Sequence, residues 1–355
     1  MIAPTTLFFA LAFFVTSLCG IVSADPLSLE AQALDYYSYR QQYRFNCSMP
    51  LQERREWRQL NKTEKSNYIK AVKCLQSHPA VDPSIPEART RFDEFQAYHI
   101  KEANNIHFLG QFLPWHRHFI RSYEKALRNE CGYTGSFPYW DWSIDTATNK
   151  SISESPIFDP VTGFGGNGKN GTYTLPAGIN TTDNLIFPSA FRGCVVDGPF
   201  SNYTLSVGPG KLATRHCLTR GHDDSMKQYL TPAAIANITS APNFEVFRVE
   251  LEGDIATFRP HNAGHVLIGG EMSNFFSSPG EPLFYLHHAN LDRIWWHWQQ
   301  AAPNRIYQIA GPSNKIPPIH EITLDYILTM ASMGPSVTIR DVMDIHSEPN
   351  CYTYV

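Results

Sequence analysis

In the stretch FLPWHRHFIRSYEKALRNE, residues Phe119, Ile120, Tyr123, Ala126 and Leu127 recur three or four positions apart. That spacing puts side chains on one face of a helix, and Pro114 near its start suits a first turn. EPLFYLHHANLDRIWWHW repeats the pattern behind Pro282, with Leu283, Leu286, Ala289, Ile294 and Trp298. Shorter helices are expected at FDEFQAYHIKEA and at HNAGHVLI, the latter between Pro260 and a Gly269-Gly270 stop. Residues 25 to 80 also read as helical, through LSLEAQALDYYSYRQQ and REWRQLNKTEKSNYIKAVKCLQ, and HEITLDYILTMASM predicts a helix near the C-terminus. Residues 143 to 240 have no such period and centre on GFGGNGKNGTYTLPAGINTTDN. A long irregular stretch of this kind is usually functional or flexible, and here it is expected to wrap a helical core. The pattern predicts a mainly α domain with a central four-helix bundle and long loops, its sites built from facing helices.

Six of the 14 histidines fall in or beside these helices in two groups of three: His99, His107 and His116, then His261, His265 and His288. Neutral imidazoles with no carboxylate or thiolate at matching spacing suit copper, and two equivalent copper ions make a dioxygen site. His261 and His265 stand four apart and share a helix face. The zinc-protease form of this spacing is His-Glu-x-x-His, with the Glu as general base. Here the residues are His-Asn-Ala-Gly-His, so the base is missing and zinc hydrolysis is disfavoured. Asp292, four residues past His288, is placed to take the Nδ1 proton of a ligand imidazole. His118 points about 200° around the helix from His116 and reads as a surface or outlying residue. His78, before Pro79, reads as an ordinary loop histidine.

HFLGQFLPWHRHF, PYWDWS, HNAGH and EPLFYLHHANLDRIWWHW, in that order, resemble the copper-binding signatures of the tyrosinase and catechol oxidase family, the type-3 copper proteins. The similarity covers about residues 85 to 300 and is closest to short, secreted fungal members. It implies that His99, His107 and His116 bind one copper ion and that His261, His265 and His288 bind the other, with His288 rather than His287 as the ligand of the pair. It implies that Phe284 packs on the copper site, and that Phe275 or Phe276 stands over the metal and narrows substrate access. It also assigns Glu252 and Asn262 to a pair that holds a water able to deprotonate a bound monophenol, whose own pKa is near 10. The competing reading pairs Glu252 with Arg248 or Arg259 and makes Asn262 a helix cap. Asn105 stands where some members carry a thioether cysteine, and Glu281 replaces the usual Asp of an Asp-Pro. The chain after His288 is too short for the lid domain of many fungal tyrosinases, so regulation by removing such a lid is not expected. The implied reaction oxidises o-diphenols or o-aminophenols to o-quinones with O2 reduced to water; hydroxylation of monophenols is left open. The alternatives are a tailoring oxidase with a dedicated substrate in a secondary-metabolite pathway, and a haemocyanin-like oxygen carrier.

The first 24 residues carry no charged side chain and end Val22-Ser23-Ala24, the shape of a signal peptide. Their apolar run is short of the ~20 residues that span a bilayer. Residues 25 to 355 are then one copper-binding domain. Seven glycosylation sequons, at Asn46, Asn61, Asn149, Asn170, Asn180, Asn202 and Asn237, support secretion. Cys19 leaves with the signal, and the other six cysteines suggest three disulfides. Cys194 with Cys217 is favoured by proximity, and Cys47 with Cys351 would clamp the ends. The net charge of −4, with Lys and Arg scattered, argues against a nucleic-acid partner. The expected partners are a small phenol and O2, with no membrane and with oligomeric state undetermined.

Overall fold

The computed structural model describes residues 47, 48, 50–254 and 256–355. The expected signal peptide, the helix at LSLEAQALDYYSYRQQ and the Asn46 sequon lie outside the described residues. The helices are α1 (Lys62–Leu75), α2 (Arg91–Ile106), α3 (Phe112–Cys131), α4 (Trp142–Thr146), α5 (Pro232–Thr239), α6 (Phe244–Glu252), α7 (Pro260–Ile268), α8 (Leu283–Gln300) and α9 (Ile339–Met343). The expected four-helix bundle is α2, α3, α7 and α8, with α3 and α8 packed as its central pair.

Local chemistry sets where these helices begin and end. Thr90 and Asp93 exchange hydrogen bonds in a capping box that opens α2. Gly132, at φ +65°, closes α3 in the left-handed conformation that glycine adopts at least cost. Pro260 and Gly269 bound α7 as expected. The bundle core is aromatic: Tyr123 of α3 stacks on Tyr285 of α8 at 3.5 Å between ring centroids, and Phe95 of α2 meets Phe119 edge-on at 5.6 Å.

Two stretches expected to be helical are not. REWRQLNKTEK begins in strand β1 (Gln52–Glu56), which ends at its second residue, and the helix starts only at Lys62, where the Asn61 side chain caps the Thr63 and Glu64 amides. Arg54 and Glu56 are buried and Arg55 is not, a period of two carried by charged residues that apolar patterning does not register. β1 lies parallel between β2 (Phe137–Tyr139) and β3 (Tyr352–Tyr354). HEITLDYILTMASM also lacks the expected α-helix. Its backbone is committed elsewhere: the Ile322 amide bonds Gly311, Ile327–Leu328 pairs with Val337–Thr338, and the carbonyls of Leu324 and Tyr326 receive Arg340 and Ile339.

Asp292 does not hold a histidine. Its carboxylate takes Arg54, Arg117 and the hydroxyls of Tyr352 and Tyr354, the last two at 2.6 Å. Three of these donors gather on Oδ2 and Arg117 takes Oδ1, and no hydrogen bond joins the carboxylate to His288 among the described residues. Arg54 and Arg117 are fully buried, and this one group joins β1, α3, α8 and β3.

The loop-rich stretch 143–240 is built from short 3-10 turns, two-residue ladders and α5, and it enters the core through Ile157, Phe158 and Phe164. All six described sequon asparagines are exposed. The disulfides Cys47–Cys351 and Cys194–Cys217 are those expected; the third, Cys74–Cys131, ties α1 to the end of α3.

Asp292→Ala leaves the Arg117 guanidinium buried without a counter-charge, and is expected to destabilise the fold by about 3–5 kcal/mol. Chemical denaturation measures this, with the metal content of the folded fraction unchanged. A loss of metal at full stability would return Asp292 to a role beside His288.

Candidate metal centre and its cavity

His99 lies on α2, His107 is the residue at its C-terminal cap, and His116 sits one turn into α3. The chain turns between α2 and α3 through Phe108, at φ +61°, which lets His107 face back toward the other two. The three rings stand 5.0–5.7 Å apart between centroids. Each uses Nδ1 to donate to a backbone carbonyl: His99 to Phe276 at 2.7 Å, His107 to Ala103 at 2.9 Å and His116 to Phe112 at 2.9 Å. A carbonyl can only accept, so the proton is on Nδ1 and the Nε2 lone pair is free.

The second triad repeats the device. His261 donates Nδ1 to the Glu252 carbonyl at 3.1 Å and His265 to the Met272 carbonyl at 2.8 Å. Their Nε2 atoms then face each other at 3.1 Å, and His265 Nε2 is 3.3 Å from His288 Nε2. The two triads oppose one another, with His116 stacked on His288 at 4.5 Å and His107 on His261 at 5.8 Å. Phe284 lies beneath them, 4.1 Å from the His288 ring and 5.4 Å from His99.

His287 is turned away and locked. Its Nδ1 accepts from Trp142 Nε1 at 3.2 Å and its Nε2 donates to the His261 carbonyl at 3.1 Å. Its ring passes so close to α7 that a Cβ at position 264 would stand 2.3 Å from it, which explains the glycine of HNAGH.

Burial drives all six triad imidazoles below their usual pKa, His99 to about 3 and His265 to about 4, with neighbouring imidazoles lowering most of them further. They are neutral at pH 7. The Nε2 atoms of His99 and His116 are buried with no hydrogen-bond partner. An unmet buried lone pair costs about 1–3 kcal/mol. Lone pairs converging in threes fit a cation, and three neutral imidazoles per ion fit copper. Cys74, His78 and Cys131 also cluster, but the two sulfurs are consumed in a disulfide.

A cavity of about 510 Å³ opens onto His107, His261 and His265. Phe275 lines it, 4.7 Å from the His107 ring and stacked on Phe108 at 5.8 Å. Phe276 is buried and faces the other way, under Lys211. Phe284 is sealed beneath the imidazoles and touches the triad rings rather than the cavity. Glu252 lines the cavity and carries two bonds, from the Phe108 amide at 2.6 Å and Arg248 at 2.7 Å. Burial raises its carboxyl to about 8, against the opposing pull of Arg248. Asn262 also lines the cavity. It caps α7 by accepting from the Arg259 amide at 2.7 Å, and both its donors go to the Asp254 and Thr257 carbonyls. One lone pair on its Oδ1 is left.

His118 is neither on the surface nor beside the triads: it is buried and bonds the Pro335 carbonyl at 2.9 Å. Pattern reading missed the cavity walls at 185–190 and 221–223, which carry no periodicity, and the role of Glu281. That carboxylate forks onto Arg220 with two bonds of 2.8 Å and caps α8 through the Leu283 amide at 3.1 Å. It thus anchors the helix that carries His288.

Residues 89–301 match the family model described as the common central domain of tyrosinase. The chain is 38% identical over 331 residues to the tyrosinase-like protein phomQ1' of Diaporthe leptostromiformis, covering 87% of this chain and 80% of that one. It is 33% identical over 339 residues to the N-acetyl-6-hydroxytryptophan oxidase ivoB of Emericella nidulans, covering 85% and 91%. Among solved structures, a polyphenol oxidase from Thermothelomyces thermophila, determined as a point mutant, matches with a TM-score of 0.73 at 34% identity, over 92% of this chain and 94% of that one. Matched through its central domain and aligned with such relatives along most of its length, the chain belongs to the tyrosinase family.

Proposed function

We propose that this protein is a secreted oxidase of o-diphenols and o-aminophenols, in which His99, His107 and His116 hold one copper ion and His261, His265 and His288 the other. The observation that carries the reading is the set of Nδ1–carbonyl bonds, which leave neutral Nε2 lone pairs converging from two opposed triads. Copper bound there supplies the redox chemistry with dioxygen. The overall balance is two o-diphenols and one O2 giving two o-quinones and two waters.

The protein's own part is access, orientation and proton handling. The open side of the triads faces the cavity, and the Phe275 ring beside His107 gives a phenol ring a face to pack on. An oxygen carrier needs no such room, which favours an enzyme. Glu252 is proposed to accept the phenol proton, directly or through a water that the remaining Asn262 lone pair helps to hold. A carboxyl raised by burial is a better match for a phenol than an ordinary one. Three disulfides and exposed sequons support passage through the secretory pathway. A dedicated tailoring role is the second reading, favoured by a relative named for a single hydroxytryptophan derivative.

Oxygen uptake by copper-loaded protein is expected with a catechol. Silence with every catechol and aminophenol tried, with two copper ions bound, would overturn the general oxidase reading. His265→Ala or His288→Ala is expected to bind one copper ion instead of two and to lose uptake; elemental analysis beside the oxygen electrode checks this, and a variant keeping both ions would sink the ligand assignment. Glu252→Gln is expected to lower kcat/KM for a monophenol by about 10²-fold or more and to affect the matching diphenol much less. Equal losses on the two substrates would leave Glu252 a structural partner of Arg248.

A further inference from the structure

The cavity is larger than one phenol ring needs, and its charge is one-sided. Among the described residues that line it there is no Lys or Arg, but three carboxylates do: Glu252, Asp223 and Asp254. Glu252 is paired with Arg248. The other two lie toward the rim, Asp254 exposed and Asp223 half-buried, alongside the exposed Phe187. Neither forms an ion pair with another described residue. Each uses Oδ1 to cap its own turn, Asp223 accepting from the Ser225 amide at 3.0 Å and Asp254 from the Ala256 and Thr257 amides at 2.7 Å. Those bonds fix both groups in place, and they hold the Asp254 pKa below its usual value, so it is ionised at working pH.

The nearest cations do not close on the two aspartates: exposed Arg192 acts on His222 and Arg259 acts on Asp254, but neither forms an ion pair with Asp223 or Asp254 among the described residues. Arg259 pairs with Glu250 at 2.8 Å, and Arg220 is taken up by Glu281. Lys315 stands over the Phe108 ring at 5.1 Å, within electrostatic reach of Glu252. Beside Asp223, His222 contributes a buried Nε2 with no partner, its Nδ1 being bonded to the Ser153 hydroxyl at 2.8 Å. The wall therefore offers two fixed carboxylates and one unmet polar atom, set among the apolar Leu185, Phe187 and Phe258. The floor, with two metal ions bound, is positive.

We propose that the cavity selects phenols whose side chain ends in a protonated amine, held at the rim by Asp223 and Asp254, over those ending in a carboxylate. The inference rests on the oxidase reading above. A substrate with an anionic phenolic oxygen at one end and an ammonium at the other matches the polarity of the site at both ends. A carboxylate brought to the rim meets two unpaired carboxylates, the repulsive element that specificity generally needs. Partly exposed charges act weakly one by one, so the two aspartates together are expected to discriminate on the order of tenfold.

The test compares dopamine, 4-ethylcatechol and 3,4-dihydroxyphenylacetate on the copper-loaded protein, by kcat/KM and by anaerobic calorimetry. The amine is expected to exceed the acid about tenfold, with the neutral catechol between them, and the ratio is expected to shrink as salt rises from about 0.01 to about 0.5 M, which shortens the screening length from about 30 Å to about 4 Å. In Asp223→Asn with Asp254→Asn, whose amides keep the caps, the ratio is expected to fall to within about threefold. Equal or reversed preference in the wild type, or an undiminished ratio in the double variant, overturns the proposal. If that variant does not fold, a ratio insensitive to salt overturns it. If 4-ethylcatechol is not turned over, the oxidase reading fails instead, and the calorimetric order of amine and acid still decides between support and rejection of the rim assignment.

Discussion

A neutral imidazole has a single N–H, and the nitrogen that keeps it decides what the other can do. In this fold five of the six triad histidines spend that proton on a backbone carbonyl at 2.7–3.1 Å. The consequence is a set of Nε2 lone pairs turned inward, where burial suppresses protonation and little else can satisfy them. An apolar core would have closed on those atoms. Much of the surrounding structure keeps them apart and oriented. The carbonyls of Ala103 and Phe112 lie one turn back on the histidines' own helices or at their ends. Those of Phe276 and Met272 come from the segment that Asn274 organises, its Oδ1 accepting the Phe276 and Ser277 amides.

The HH pair shows how the same logic separates neighbours. Successive residues on a helix point about 100° apart, so His287 and His288 cannot both enter the centre. His288 faces α3 and His287 faces α7. His287 is useful there in the opposite tautomer, accepting from Trp142 and donating to the His261 carbonyl. The PYWDW block and the glycine of HNAGH are thereby explained by one ring: Trp142 fixes its proton, and Gly264 leaves room for it.

This division explains what could be read from the chain alone. Histidine spacing, the Pro260 start, the Gly269 stop and the 3.6-residue period of α3 and α8 are local signals, and the triads and their helices follow from them. What stayed hidden was polar and long-range. Arg54 and Glu56 alternate as a strand, yet read as helix because apolar patterning ignores buried charge. Asp292 stands one helical turn from His288, but two guanidinium groups and two tyrosine hydroxyls, all four from segments remote in sequence, claim its carboxylate. The C-terminal segment 320–333 has helical spacing, yet hydrogen-bond partners offered by Gly311, Ile339 and Arg340 outweigh a weak intrinsic preference.

The cavity walls belong to the same class of hidden information. Gly221 and Asp223 are held against the end of α7 by amide bonds to the Ile268 and Leu267 carbonyls, so a loop with no periodicity becomes a fixed wall of the site. The bundle has little freedom of its own. His99, His107, His116, His261 and His265 are each fixed through Nδ1 by a backbone carbonyl, and Phe284 packs beneath the rings. A change in substrate preference is therefore far cheaper in the loops, where Phe187, His222, Asp223 and Asp254 meet the cavity without touching a triad ring through any hydrogen bond. The triads are carried by the four helices, and much of the outer cavity wall by the irregular chain around them. A loop-rich stretch of this length can thus be kept beside a compact bundle without loss of order at the centre.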